Sequence, residues 1–531
     1  MMSGIHRMSR DSKTVMKPVV LPAQQRLADG LKRLQELQAG GARVYQGAEF
    51  ERRQREALEN AGFLRRVMRG WYIAAGPGEG PGDTTAWNAS FRDFIGRYCT
   101  TRFGDRWYLS PEISILVHAG VTVLPRQVFV MAKGGRRNVV ELLGGNSIFD
   151  NQPVEWPDEQ HLEQVGPLRV LSLPFAFVRV SDVFFRTYAA DAYIALRLFR
   201  DASALLRILT EKRHSHIAGR LVGAFRAAHL PRIAQDISGT MKAAGFHVTE
   251  ANPFPTELPR LGGQRPLSPY VDRIRIMWET MRPTILENVP AEPGRPSDVA
   301  TYLAAVVEAY RADAYHSLSI EGYTVTDDLI ARVSSGNWNP DGNASDTEAK
   351  NAMAARGYFL AHTAIRESLK RILAGENPGT VTDQDHGEWY RQLFSPSLAA
   401  GLVTVGDLSG YRNGQVYIRN ADHVPPEKTA VPDMMFTLFE LLTEETSAAV
   451  RAVLGHFIFV FIHPYMDGNG RMGRFLMNAM LASGGYPWTV IPVERRTEYM
   501  AALNAASARA DIGPFARFIA SCIGAKSSTP A

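Results

Sequence analysis

The apolar positions change rhythm along the chain, and the changes mark out its parts. In residues 24–38, Leu27, Leu31, Leu34 and Leu37 recur at three- and four-residue steps, which predicts a helix with one apolar face. GAEFERRQREALEN, residues 47–60, predicts a second helix, closed by Gly62. FLRRVMRGWYIAAG, residues 63–76, reads as two short strands turning near Arg69 and Gly70, before the breaker-rich GPGEGPGD of 76–83. Helix, helix and basic hairpin predict a winged helix-turn-helix over 21–82, behind a flexible tail at 1–20.

From 83 to 255 helical and strand-like pieces mix, as in VTVLPRQVFVMA (121–132) and PLRVLSLPFAFVRV (167–180), which predicts an α+β domain. No catalytic constellation stands out there. His214 and His216 offer two ring nitrogens, but no third ligand accompanies them, so they read as surface histidines. NPFPTELPRLGGQRPLSP, residues 252–269, is rich in Pro and Gly and predicts a linker over 256–269. Beyond it nearly everything is helical. Amphipathic segments run over 270–288, 297–316, 344–374, 430–462, 470–484 and 495–523, with one strand-like interruption at 414–420.

Composition narrows the class without naming it. A length of 531 residues suggests two to four domains, and 45% hydrophobic with 21% charged residues predicts a folded chain. The formal charge of +5 is small for this length and argues for no nucleic acid by itself. Cys99 and Cys522 stand far apart, which excludes a disulfide framework or a zinc site and fits a reducing cytoplasm. The polar start MMSGIHRMSRDSK lacks the apolar core of a signal peptide. The apolar run at 457–462 is far shorter than the about 20 residues that cross a bilayer. A soluble cytoplasmic protein with no membrane partner is expected.

The informative stretch is HPYMDGNGRMGR, residues 463–474. An apolar helix should end at Ile462, because Pro464 disfavours α geometry at His463. Gly468 and Gly470 free the backbone, and a new helix starting near Arg471 presents its N–H groups and dipole to an anion. Arg471 and Arg474, three apart, share a helix face. Asp467 offers a hard carboxylate to Mg2+ already bound to phosphates, and the imidazole of His463 suits proton removal from a hydroxyl. Together they predict a phosphoryl-type transfer site.

These residues resemble the Fic signature, HxFx(D/E)GNGRxxR, at every defining position, with Tyr465 where Phe is usual. HFIFVFI, residues 456–462, resembles the family's lead-in helix. The resemblance implies a multidomain chain whose all-α Fic core, over 270–526, carries a short β-hairpin flap. It implies a protein adenylyltransferase with ATP as substrate and Mg2+ as cofactor. His463 would deprotonate a Tyr, Thr or Ser hydroxyl on a target protein, or on the chain itself, and Asp467 would bind Mg2+. Asn469 and the amides of Gly468 and Gly470 would hold the α- and β-phosphates. Arg471 and Arg474 would grip the β- and γ-phosphates while pyrophosphate leaves. GYRNGQVYIRN, residues 410–420, resembles the flap, where Gln415, Val416, Tyr417 and Ile418 would pair with a target strand. HVPPEKTAVPDMM, residues 423–435, resembles the connection after it. RRTEYMAALNAA, residues 495–506, resembles the helix closing the adenine side, where Tyr499 and Leu503 line the base or pack the core.

HSLSIEGY, residues 316–323, resembles the family's inhibitory motif (S/T)xxxE(G/N), with Ser317, Glu321 and Gly322 in place and the inhibitory helix at about 303–322. A bidentate Glu321–Arg474 pair would occupy the clamp that the γ-phosphate needs. Glu321 could instead support removal of AMP from a modified target. Residues 24–75 resemble the winged helix of AbiEi-type antitoxins, where Arg52, Arg53, Arg55, Arg65, Arg66 and Arg69 would meet DNA phosphates or form a solvated or protein-docking face. Three readings therefore stay open: an autoinhibited AMP transferase, a DNA-binding regulator whose Fic domain senses nucleotide, and transfer of UMP, phosphate or phosphocholine. A homo-oligomer stays open as a partner.

Overall fold

The computed structural model describes residues 23–78, 83–211, 214–261, 268–334 and 346–524; the tail expected at 1–20 and residues 262–267 of the expected linker lie outside them. Helices Ala23–Ala39 and Arg52–Asn60 pack on a three-stranded antiparallel sheet, with Trp71–Ala74 between Val44–Gln46 and Leu64–Met68. The hairpin turns at Gly70, whose φ is +83°. Alternation splits the central strand between two cores. Tyr72 joins Leu34, Leu58 and Leu64 in a small cluster. Trp71 points the other way, edge-on to Phe94 and Tyr98 of helix Thr85–Phe103 at 5.6 and 5.7 Å. The expected winged unit therefore shares a core with the residues after it.

That second core surrounds a four-stranded sheet in the order Trp107–Leu109, Gln127–Ala132, Ser147–Asn151, Val139–Glu141, with one parallel pair at its centre. The stretch 167–180 is strand only over Leu168–Leu171; Ser172 and Pro174 then start helix Leu173–Arg179. A proline in the first turn needs no amide partner and presets φ, so it opens a helix inside an apolar run that looked extended.

The C-terminal part is helical. The segment expected at 430–462 is two helices, Val431–Glu444 and Ala448–Ile462, divided where Glu445 turns extended and Ser447 caps Val450 N–H. The segment expected at 495–523 likewise divides into Arg496–Arg509 and Gly513–Cys522 around left-handed Ala510. Helix Pro378–Ala399 was not expected. Its DQDHGE stretch and Pro396 hide the apolar period, although Asn377, whose side chain accepts the Thr380 N–H, and Pro378 form a helix start. The interruption at 414–420 is irregular backbone with no strand.

Helix Pro269–Asn288, directly after the expected linker, ties the two halves together. Ile276 packs into the N-terminal core while Ile274, Trp278, Met281 and Ile285 pack into the C-terminal one. Its charges do the same. Arg273 pairs with Asp191 on one side, and Arg275 and Arg282 pair with Glu440 and Glu445 on the other. Asp272, 1% exposed, accepts from Arg197 at 2.8 Å. Removing one member of a buried pair strands the other charge, so Asp272→Ala should cost about 3–5 kcal/mol. Chemical denaturation should show that loss, and a double Arg197→Met, Asp272→Leu variant should recover most of it.

Candidate active site

Helix Ala448–Ile462 is apolar all round and almost wholly buried, so it runs through the middle of the bundle. His463 ends it in the left-handed region, φ +54° and ψ +60°, with the following proline barring the right-handed helical geometry. Its N–H still closes the last turn on Phe459 O at 3.0 Å. The half-buried imidazole places Nδ1 3.1 Å from Val460 O. A carbonyl can only accept, so Nδ1 carries the proton and Nε2 is left as the base. Burial lowers the imidazole pKa, and Arg412 lowers it further, against the Val460 carbonyl, Glu321 and Asp467.

The turn after His463 braces itself. Asn469 Oδ1 accepts the Tyr465 N–H at 2.9 Å, and Asn469 Nδ2 donates to Tyr465 O at 2.8 Å. Both ends of that amide are occupied, so Asn469 shapes the cradle rather than offering its side chain to phosphate. Tyr465 stacks on Tyr390 at 3.7 Å, which fixes the floor of the loop. Gly468, φ +79°, starts helix Asn469–Ser483; a Cβ there would sit 2.9 Å from the Phe394 ring. Asp467 is exposed, its Oδ1 accepting the Gly468 N–H at 2.6 Å.

Arg471 and Arg474 are both buried on one face of that helix. The Arg471 guanidinium lies over the rings of Tyr323 and Phe394, at 5.3 and 5.1 Å. Arg474 Nε donates to Ser317 Oγ at 2.8 Å, and Nη2 donates to Ser317 O at 3.1 Å and to Glu321 Oε1 at 2.6 Å. The Glu321–Arg474 contact is thus single, not the expected bidentate pair, because Ser317 takes the Nε edge. Arg471 Nε and Arg474 Nη1 are buried with no hydrogen-bond partner among the described residues. Two orphaned donors at a helix N-terminus make a site built for an anion.

A carboxylate is already there. Glu321 follows helix Val299–Ile320, which Gly322 ends at φ +87°. Its Oε1 would stand 2.3 Å from a Cβ at Gly470, so any side chain there would push the carboxylate aside. Burial pushes the Glu321 carboxyl up, but Arg474 and Arg471 together outweigh that and hold its pKa low. Behind Arg474, Tyr358 donates to buried Asp313 at 2.7 Å. Sequence reading missed Asp313, Tyr358, Phe394 and Tyr390, since pattern and motif mark none of them.

Tyr499 is 1% exposed, 2.7 Å from His456 Nε2 and against Phe515 and Phe518, and Leu503 is half-buried on the same core. Tyr499 packs the core and also borders the site, since Arg474 and Glu321 both bear on its hydroxyl. The expected hairpin flap has no ladder, and its side chains contact other segments. Gln415 Nε2 donates to Pro425 O, Tyr417 Oη accepts from Arg43, and Arg419 pairs with Asp83. Val416 is buried and Ile418 half-buried. Of the six arginines, Arg55 and Arg65 bind the Gly47 and Asp83 carbonyls, which leaves Arg52, Arg53, Arg66 and Arg69 exposed. A cavity of about 680 Å³ lies apart from the His463 Nε2 face, between the N-terminal core and residues 506–512. No group of three or more His, Cys, Asp or Glu among the described residues could hold a metal alone. Asp467 still fits a metal that arrives with phosphates, since its exposed oxygen is hard and lies beside the cradle.

A base at the mouth of a glycine turn, with cationic donors at the next helix N-terminus, is an arrangement suited to an anionic, phosphate-bearing ligand. Residues 381–481, within the helical part, match the model of the Fic/DOC family. "Protein adenylyltransferase Fic" of Drosophila willistoni is 34% identical over 219 residues, 40% of this chain and 40% of that protein. The Drosophila virilis protein of that name is 34% identical across 40% of this chain and 41% of its own length. The chain therefore spans about two fifths of these relatives. Among solved structures, Fic-1 of C. elegans is 19% identical with a TM-score of 0.35, covering 66% of this chain and 84% of that one. A Fic domain containing signaling protein of Bacteroides thetaiotaomicron is 20% identical with a TM-score of 0.32, covering 48% and 92%.

A lowered pKa keeps His463 neutral, and competent as a base, to more acid pH than a free imidazole. Histidine NMR titration should place its midpoint below the ordinary 6.5. Glu321→Gln should move it lower still, because it removes a charge that favours the imidazolium. A midpoint at or above the ordinary value would contradict this electrostatic reading.

Proposed function

We propose that the chain is an autoinhibited protein adenylyltransferase, moving AMP from ATP to a hydroxyl side chain of a target protein and of itself. The observation that carries this is Glu321: an ionised carboxylate resting on Arg474 and against Gly470, in the anion position of the cradle. It reads as a stand-in for the terminal phosphate. The name of the Drosophila relatives supports AMP as the group moved.

The chemistry follows from the residues. The triphosphate lies along the amides of Gly468 and Gly470, with Arg471 and Arg474 supplying the two donors that now lack partners. Mg2+, when bound with the nucleotide, would be held by Asp467 and would offset phosphate charge. His463 Nε2 takes the proton of the target hydroxyl as that oxygen attacks the α-phosphorus. The bond from that phosphorus to the β-phosphate bridging oxygen breaks, and pyrophosphate leaves with the electron pair. While Glu321 holds Arg474, the γ-phosphate cannot take its place and the α-phosphate is misaimed. A misplacement of about 1 Å costs roughly a hundredfold in rate.

Glu321→Gly should therefore raise self-labelling from α-labelled ATP by about a hundredfold. Adding His463→Ala should return it to background. Parallel assays with labelled CTP, GTP and UTP check the base, and preferential labelling from UTP would replace AMP with UMP as the transferred group. Unchanged labelling in Glu321→Gly would overturn the inhibitory role.

A further inference from the structure

Arg412 is 5% exposed, and its guanidinium is spent on main-chain carbonyls drawn from three places. Nε donates to His463 O at 2.9 Å, Nη1 to Gly414 O at 2.9 Å, and Nη2 to Pro426 O. Its own N–H donates to Pro464 O at 2.8 Å. One side chain thus joins the turn that carries the base to both ends of the irregular segment after Arg412. No carboxylate pairs with it among the described residues, and burial lowers its pKa to about 10. A buried guanidinium without a counter-ion is expensive, and an apolar side chain would pack at lower cost. What an apolar side chain could not do is hold three carbonyls at once.

The backbone at His463 explains what the contact is for. A non-glycine residue in the left-handed region is strained, and persists only where its surroundings over-determine it. Pro464 excludes the helical alternative but does not choose the left-handed one. The Arg412 side chain holds His463 O and its main-chain N–H holds Pro464 O, so the two peptide groups that follow His463 are gripped, while the His463 N–H is held by Phe459 O on the other side. His423 supports the arrangement one turn back: buried, it lies 2.8 Å from Phe461 O through Nε2 and 3.1 Å from Thr122 Oγ1 through Nδ1. The charges facing the His463 imidazole are Arg412, Glu321 and Asp467, with neutral His423 nearby.

We propose that Arg412 is a positioning residue for His463, fixing the left-handed turn that aims the base and coupling it to the segment on which the target would be laid. The proposal rests on the transferase reading for its catalytic consequence, but not for the coupling itself. Nothing in it requires Arg412 to touch nucleotide.

The test compares Arg412→Lys and Arg412→Gln, each in the Glu321→Gly background. Lysine keeps the charge, but one ammonium cannot reproduce a planar fork on three carbonyls. Both variants should keep ATP affinity within about twofold by calorimetry and lose tenfold or more in self-labelling, a loss in rate and not in nucleotide binding. By histidine NMR, the His463 midpoint should rise in Arg412→Gln and stay near its starting value in Arg412→Lys, since charge lowers it and geometry does not. Full labelling in both variants, or equal midpoints in both, would overturn the proposal. If Glu321→Gly itself labels nothing, the transferase reading fails, while the NMR midpoints still judge Arg412. If both variants unfold, wild-type protein labelled with 15N-arginine decides: the Arg412 Nε–H should exchange slowly with D2O, and fast exchange would refute the hold on His463.

Discussion

The whole site depends on one constraint: a helix N-terminus and two buried guanidinium groups, brought together at 468–474, cannot be left without an anion. Helix Asn469–Ser483 begins inside the bundle, and Arg471 and Arg474 stand on its buried face. Water cannot screen them there, so a carboxylate or a phosphate must. Glu321 answers that need at Arg474, and Asp467 reaches Arg471 at 3.5 Å. The answer is partial. Arg471 Nε and Arg474 Nη1 stay without partners, which leaves the cradle able to take something larger and more highly charged. On the proposed function, inhibition and catalysis would be two occupants of this one cradle.

Around that cradle the fold supplies rigidity from unrelated stretches of chain. Tyr390 stacks under Tyr465, Phe394 closes on Gly468 and Arg471, and Asn469 closes the turn on itself. The N-terminal half reaches the same neighbourhood. Thr122 meets both the ring of His423 and the amide of Val424, and Asn88 donates to Ala421 O. Helix Pro269–Asn288 contributes side chains to both cores.

What could be read from residues alone divides along the same line. The turn at 463–474 was legible because its determinants are local: a proline after the histidine, glycines where the backbone must bend, and arginines one helical step apart. Ser317, Glu321 and Gly322 were legible as a motif, although the single contact to Arg474 depends on Ser317 competing for the same fork. The segment at 414–420 alternates like a strand, yet its hydrogen bonds go to Pro425, Arg43 and Asp83, partners that no local pattern announces. Tyr499 stayed ambiguous for a related reason: an aromatic at helical spacing fits a base or a core equally well, and here it packs on Phe515 and Phe518. That the helix after Pro269 packs on both cores was not legible, because amphipathic periodicity counts apolar positions without saying which neighbour each one meets.

The account stands or falls on who occupies the donors of Arg474. Crystals of the Glu321→Gly protein soaked with a non-hydrolysable ATP analogue measure this directly. The terminal phosphate should lie within hydrogen-bond reach of Arg474 Nη1, in the space where the Glu321 carboxylate now rests. A nucleotide bound away from the 468–474 turn, with Arg474 still turned wholly onto Ser317, would contradict it.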